Sequence, residues 1–159
     1  MDARLGSRLS GGVVGYYQRS GLSAVAMPFT TGPVKVETQD GRRFKLLEPV
    51  VYVTFVRGDP FKIVLPTGME TDGASIPQAC WAIPGFQPFG AHWKAAVVHD
   101  GGYQGVWGTD WSREEVDAVF LEAMSGLGVD LAHRTAIHRA VREFGQAAFD
   151  LDREIARNI

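Results

Sequence analysis

The apolar residues of this 159-residue chain change their period once, near Gly68, and that change sets the class of fold. Before it, β-branched and aromatic residues alternate with polar ones, the period-two pattern of half-buried strands. After it, apolar residues return every three or four positions, the pattern of helices with one buried face. Strands first and helices afterwards describe an α+β domain, not a series of alternating strand–helix units.

The strand region is expected to be a small antiparallel sheet of three or four strands over residues 33–66. Val34-Lys35-Val36 alternates, and Asp40-Gly41 is a hairpin-turn signal. Phe44 to Val56 is rich in β-branched and aromatic residues, with Pro49 marking an edge or a break. Gly58-Asp59-Pro60 makes the next turn before Phe61-Lys62-Ile63-Val64-Leu65.

A bundle of three to four helices is expected next. Ala74-Ser75-Ile76-Pro77 resembles a short helix start, with the proline in the first turn. Trp93, Ala96, Val97 and Asp100 recur at helical spacing. Gly101-Gly102 should weaken the end of that helix by about 1 kcal/mol each relative to Ala. Ser112-Arg113-Glu114-Glu115 is a capping box, leading into Val116, Val119, Phe120 and Ala123. Asp130 caps the last helix, in which Ile137, Val141, Phe144, Ala148, Leu151 and Ile155 share a face and Gly145 introduces a bend.

Residues 1–32 show no sustained period. They are expected to be an N-terminal arm, with residues 33–159 as a single α+β domain. Tyr16, Tyr17 and the stretch Leu22–Phe29 are too apolar for a solvating tail, so the arm is expected to order against a partner chain.

Composition narrows the function classes. A formal charge of −2 supplies no overall field that draws the chain to nucleic acid, so no nucleic-acid partner is expected. One cysteine, Cys80, leaves no internal disulfide and no multi-cysteine zinc site. No stretch reaches the roughly 18 apolar residues of a membrane helix. The first residues lack the continuous apolar core of a signal peptide, so synthesis in the cytoplasm without general secretion is expected. Neither a Gly-x-Ser-x-Gly elbow nor a Gly-Lys-Ser/Thr phosphate loop is present.

Polar residues inside apolar helical stretches are the candidate site. His99-Asp100 follows Ala95-Ala96-Val97-Val98, and Tyr103 lies one turn after His99 on the same face. Asp117 opens the next helix and can meet His99 across a short connection. A neutral imidazole oriented by a carboxylate can take a proton from water. A second carboxylate, Asp100, can hold a hard cation such as calcium, joined by Asp72 from the Gly-rich loop Thr71–Ser75. The candidate catalytic residues are thus His99, Asp117 and Tyr103, and the candidate metal ligands Asp100 and Asp72. The same residues can equally form a buried polar network between two helices, and Asp72 can equally cap a turn.

Several blocks carry a family resemblance. Thr71-Asp72-Gly73-Ala74-Ser75-Ile76-Pro77 with Trp81, then Ala95 to Asp100 with Tyr103, then Ser112-Arg113 with Asp117 and Phe120, then Ala140-Val141-Arg142 with Phe144-Gly145, resemble the domain of unknown function 1353. That family is widespread in tailed phages and prophages. The resemblance implies first a virion structural or assembly protein, a tail or baseplate component, whose partners are other virion proteins reached through the arm. Its place would be the virion, after synthesis in the host cytoplasm.

The spacing His99-Asp100-x-x-Tyr103 with a later Asp117 is also similar to phospholipase A-two centres. There His99 would be the base, Asp100 a calcium ligand, Tyr103 a supporting donor and Asp117 the orienter of the histidine. The glycine-rich calcium loop and the disulfides of those enzymes have no counterpart here. This similarity implies the alternative of a small, calcium-dependent hydrolase with a phospholipid or envelope substrate. A soluble phage protein directed at the host or its defences is the third reading.

Overall fold

The computed structural model describes residues 28–73 and 90–158. The expected arm through residue 27, and the short helix expected after Ala74, with Cys80 and Trp81, lie outside the described residues. What is described is α+β: short antiparallel strands followed by four helices.

The strands are β1 (Val36–Glu37), β2 (Phe44–Leu46), β3 (Val50–Thr54), β4 (Phe61–Leu65) and β5 (Glu70–Thr71). They form two sheets rather than one. β3 and β4 make a hairpin, with Tyr52 opposite Ile63. β2 lies between β1 and β5, with Phe44 opposite Thr71. The hairpin turn needs a left-handed residue, which Gly58 supplies at φ 93°. Val50, Tyr52 and Thr54 of β3 and Ile63 and Leu65 of β4 point inward. Each large apolar side chain so buried contributes roughly 1.5–3 kcal/mol.

Residues 28–30, which sequence places in the arm, run along the free side of β3. Val53 N donates to the Pro28 carbonyl at 2.8 Å and Thr30 N to the Val51 carbonyl at 3.1 Å. Phe29 stacks on Tyr52 with ring centres 4.7 Å apart. Lys94 Nζ then holds the carbonyls of Thr31 and Gly32, at 2.5 and 2.7 Å.

The helices are α1 (Trp93–Tyr103), α2 (Arg113–Gly126), α3 (Leu131–Phe144) and α4 (Gln146–Arg157). α1 is buried on all sides from Ala95 to Tyr103, between the sheets and the other helices. Gly101 and Gly102 do not loosen its end. The helix runs through both, and both are buried. A Cβ on Gly101 would collide with Leu65, and one on Gly102 with Trp107 and Val116. The pair therefore lets α1 approach β4 and α2 more closely than any other residues could.

Both bonds of the capping box form at the start of α2: Glu115 N donates to Ser112 Oγ at 3.2 Å, and Ser112 N to Glu115 Oε2 at 2.8 Å. Glu122 pins α2 to β3, accepting from Tyr52 Oη and Thr54 Oγ1 at 3.0 Å each. Asp130 caps α3 through His133 N. The single last helix expected from sequence is two helices, because Gly145 divides it instead of bending it. The division shifts the phase of the apolar face. Ile137 and Val141 are buried, whereas Phe144, Leu151 and Ile155 are exposed. No helix among the described residues is long and apolar enough to cross a membrane.

Candidate functional site

His99 and Tyr103 stand one turn apart on the flank of α1 that faces α2, where the capping box has placed Asp117 in the second turn. His99 Nε2 lies 2.8 Å from Asp117 Oδ1. The Tyr103 hydroxyl donates to the same oxygen at 2.9 Å. The other oxygen, Oδ2, accepts from Arg142 Nη1 of α3 at 2.9 Å, with Arg113 Nη1 3.5 Å away. Arg142 is braced in turn by Glu114, at 2.9 Å. The imidazole is sandwiched by Tyr103 and Phe120, with ring centres 4.2 and 4.7 Å away.

His99 and Asp117 are both wholly buried, so the imidazole does not line an open cleft. Burial alone would push the Asp117 carboxyl upward. The bond and charge of His99, then Arg142 and Tyr103, outweigh it and hold Asp117 below the ordinary carboxylate range. Burial, with the Asp117 charge behind it, pushes the Tyr103 phenol upward, so it stays a donor. An ionised Asp117 is an acceptor only, so Nε2 of His99 donates to it. The ring's Nδ1 has no hydrogen-bond partner among the described residues.

Asp100 goes elsewhere. One residue on, it is turned by about 100° around the helix, and its Oδ2 accepts from the Thr71 hydroxyl of β5. It lines a groove of about 840 Å³ with Arg43, Asp72, Gln104, Leu151 and Asp152. Burial first, then the charge of Asp72, and further down that of Asp152, push the Asp100 carboxyl well above its ordinary value. Asp72 is also raised by burial.

The five residues expected to form one site therefore form two neighbouring groups. His99, Tyr103 and Asp117 meet in a buried knot, and Asp100 and Asp72 share the wall of a groove. Sequence reasoning gave Arg142 and Asp152 no part in either. The pattern of α3 did not mark Arg142, whose neighbours one turn back are the polar His138 and Arg139. Asp152 carried no signal either, since acidic residues are ordinary on an exposed helix.

Two carboxylates and a hydroxyl are hard oxygen donors of the kind calcium takes. Thr71 already occupies Oδ2 of Asp100, and no three acidic, imidazole or thiol groups gather at metal-binding range among the described residues.

Comparison with known proteins adds a family but no activity. A family model described as "Protein of unknown function (DUF1353)" matches residues 44–141. "Uncharacterized protein y4jT" of Sinorhizobium fredii (strain NBRC 101917 / NGR234) is 56% identical over 36 residues, which are 23% of this chain and 11% of that protein. The chain thus covers about a tenth of that relative's length. No solved structure matches.

Proposed function

For a chain that belongs to the DUF1353 family of proteins of unknown function, we propose a hydrolase in which His99 is the general base. One observation carries the reading: Nδ1 of a wholly buried imidazole has no hydrogen-bond partner among the described residues, while Nε2 is firmly held. A network serving only to tie helices together would gain by satisfying both nitrogens, since an unpaired buried polar atom costs about 1–3 kcal/mol. A base needs the opposite arrangement, one nitrogen anchored and the other free to take a proton.

In this reading Nδ1 removes a proton from water as the water oxygen attacks an acyl carbonyl. The imidazolium formed is stabilised by Asp117, and its proton then passes to the departing alkoxide. Because the ring is buried, turnover requires an opening that admits water and ester to Nδ1. The groove beside Asp100 supports a lipid ester as substrate. Its α4 wall presents Leu151 and Ile155, 58% and 51% exposed, next to the polar Asp72 and Asp100. The test is fatty-acid release from phospholipid vesicles by the full chain, with calcium or with a chelator. Release that falls about 100-fold or more in His99→Gln supports the reading. Release untouched by the substitution overturns it.

A second reading, a phage or prophage assembly protein of the tail or baseplate, is favoured by a different observation. Phe144 at the end of α3 and Leu151 and Ile155 on α4 expose 60%, 58% and 51% of their surface, the kind of apolar exposure that serves contact surfaces when contiguous. Its test is the presence of the polypeptide in purified particles, and its absence there rejects this role.

A further inference from the structure

We infer that Arg142 is a positioning residue, which acts through Asp117 to decide which nitrogen of His99 carries the ring proton. The inference rests on His99 as the base of the proposed hydrolase, and adds α3 to its machinery. Nothing in the His-Asp-x-x-Tyr spacing anticipates it.

The one buried carboxylate of Asp117 offers four acceptor positions. Oδ1 serves His99 and Tyr103, and Oδ2 serves Arg142 at 2.9 Å. Of these partners only Arg142 is permanently charged, because a guanidinium does not deprotonate in proteins. Arg113 is the other cation nearby, but it stands 3.5 Å from Oδ2 and spends its Nη1 on the Arg142 carbonyl at 3.0 Å. Burial opposes ionisation of Asp117; the His99 contact favours it most, and of the remaining groups Arg142, at 2.9 Å, is the closest fixed charge that does.

With Arg142 in place Asp117 is ionised and can only accept, so the proton stays on Nε2 and Nδ1 keeps its lone pair. Without that charge Asp117 can take up a proton from solvent and become a hydroxyl donor to Nε2, and the ring's own proton is then carried on Nδ1. The nitrogen that should take a proton from water would already hold one. Glu114 supports the arrangement from outside by accepting from Arg142 Nη2 at 2.9 Å. The guanidinium is thus gripped at both ends, unlike a solvated surface arginine.

The experiment reads the ring nitrogens of His99 by NMR in the ¹⁵N-labelled full chain, with signals assigned by their loss in His99→Gln. The native protein should show a protonated Nε2 and a bare Nδ1. Arg142→Gln, which keeps a donor but removes the charge, should show a mixed or reversed tautomer. Arg142→Lys, which restores the charge without the fork, should return the native pattern. Where vesicle hydrolysis is detected, Arg142→Gln should lower kcat by at least about 10-fold with KM little changed, wrong tautomers in His–Asp pairs costing up to ~10⁴.

A folded Arg142→Gln protein with the native ring pattern overturns the inference. So does a native protein whose proton sits on Nδ1, a result that needs no variant at all. Should Arg142→Gln fail to fold, a mixed tautomer in Arg142→Lys overturns it and a native one supports it. A tautomer shift without any vesicle hydrolysis would leave this inference standing and remove the hydrolase reading instead.

Discussion

Gly145 lies so close to Tyr103 that a Cβ on it would stand 2.6 Å from the tyrosine hydroxyl oxygen. The junction of α3 and α4 is therefore shaped around the group that steadies Asp117. Gly145→Ala must displace either the hydroxyl or the junction, because the Val141 carbonyl blocks the same space at 2.6 Å. A loss of about 1–3 kcal/mol is expected, the usual cost of forcing atoms into a packed site. Urea unfolding measures it, and an unchanged midpoint would show that the junction yields freely.

Removing Asp117 tests the knot itself. Asp117→Ala leaves His99 Nε2, the Tyr103 hydroxyl and one arm of Arg142 without their shared acceptor. Destabilisation of about 1–3 kcal/mol follows from the unpaired buried donors. Equal stability of the two proteins would mean that the knot contributes little to folding.

The paired glycines of α1 offer a test in which two effects have opposite signs. Helix propensity alone says that Gly102→Ala stabilises, by about 1 kcal/mol. The collision with Trp107 and Val116 says that it destabilises, by about 1–3 kcal/mol. Packing is expected to win, because both obstructing side chains are buried and have little room to move. A thermal shift upward would reverse that conclusion.

Asp100 makes stability depend on pH in a definite direction. Its folded pKa lies well above the ordinary 3.8, so the folded state keeps the proton longer than the unfolded state does. Stability from this group is present below pH about 4 and is lost as pH rises toward the folded value. The groups facing it reinforce the effect: Asp72 and Asp152 add like charge, against which the Thr71 hydroxyl and the Gly73 amide favour ionisation. Asp100→Asn should flatten the decline in denaturation midpoint above pH 4. A decline as steep as that of the native protein would place its origin elsewhere. Asp117 acts oppositely, its stabilisation being lost as pH falls, so the acid limb should survive in Asp100→Asn.

The legible parts of this molecule were the local ones. The capping box could be read at Ser112 and Glu115, and it fixed where Asp117 stands on α2. The one-turn spacing of His99 and Tyr103 put both on one face, and their meeting with Asp117 followed. The division into two sheets was not legible, because Phe44 pairs with Thr71, distant in sequence, through a β5 of only two residues. The direction of Asp100 was hidden for the same reason: its partner sits on that short strand. Gly101-Gly102 read as a weakness since propensity is a property of one helix, whereas close approach depends on what lies opposite.

The central claim is that a lone pair on His99 Nδ1 works as a base. Turnover of phospholipid vesicles by His99→Gln, its fold checked by circular dichroism, tests this most directly, because glutamine can still bond Asp117 but is no base at neutral pH. Release at least about 100-fold slower than with the native protein is expected. Equal release from the two proteins would contradict it.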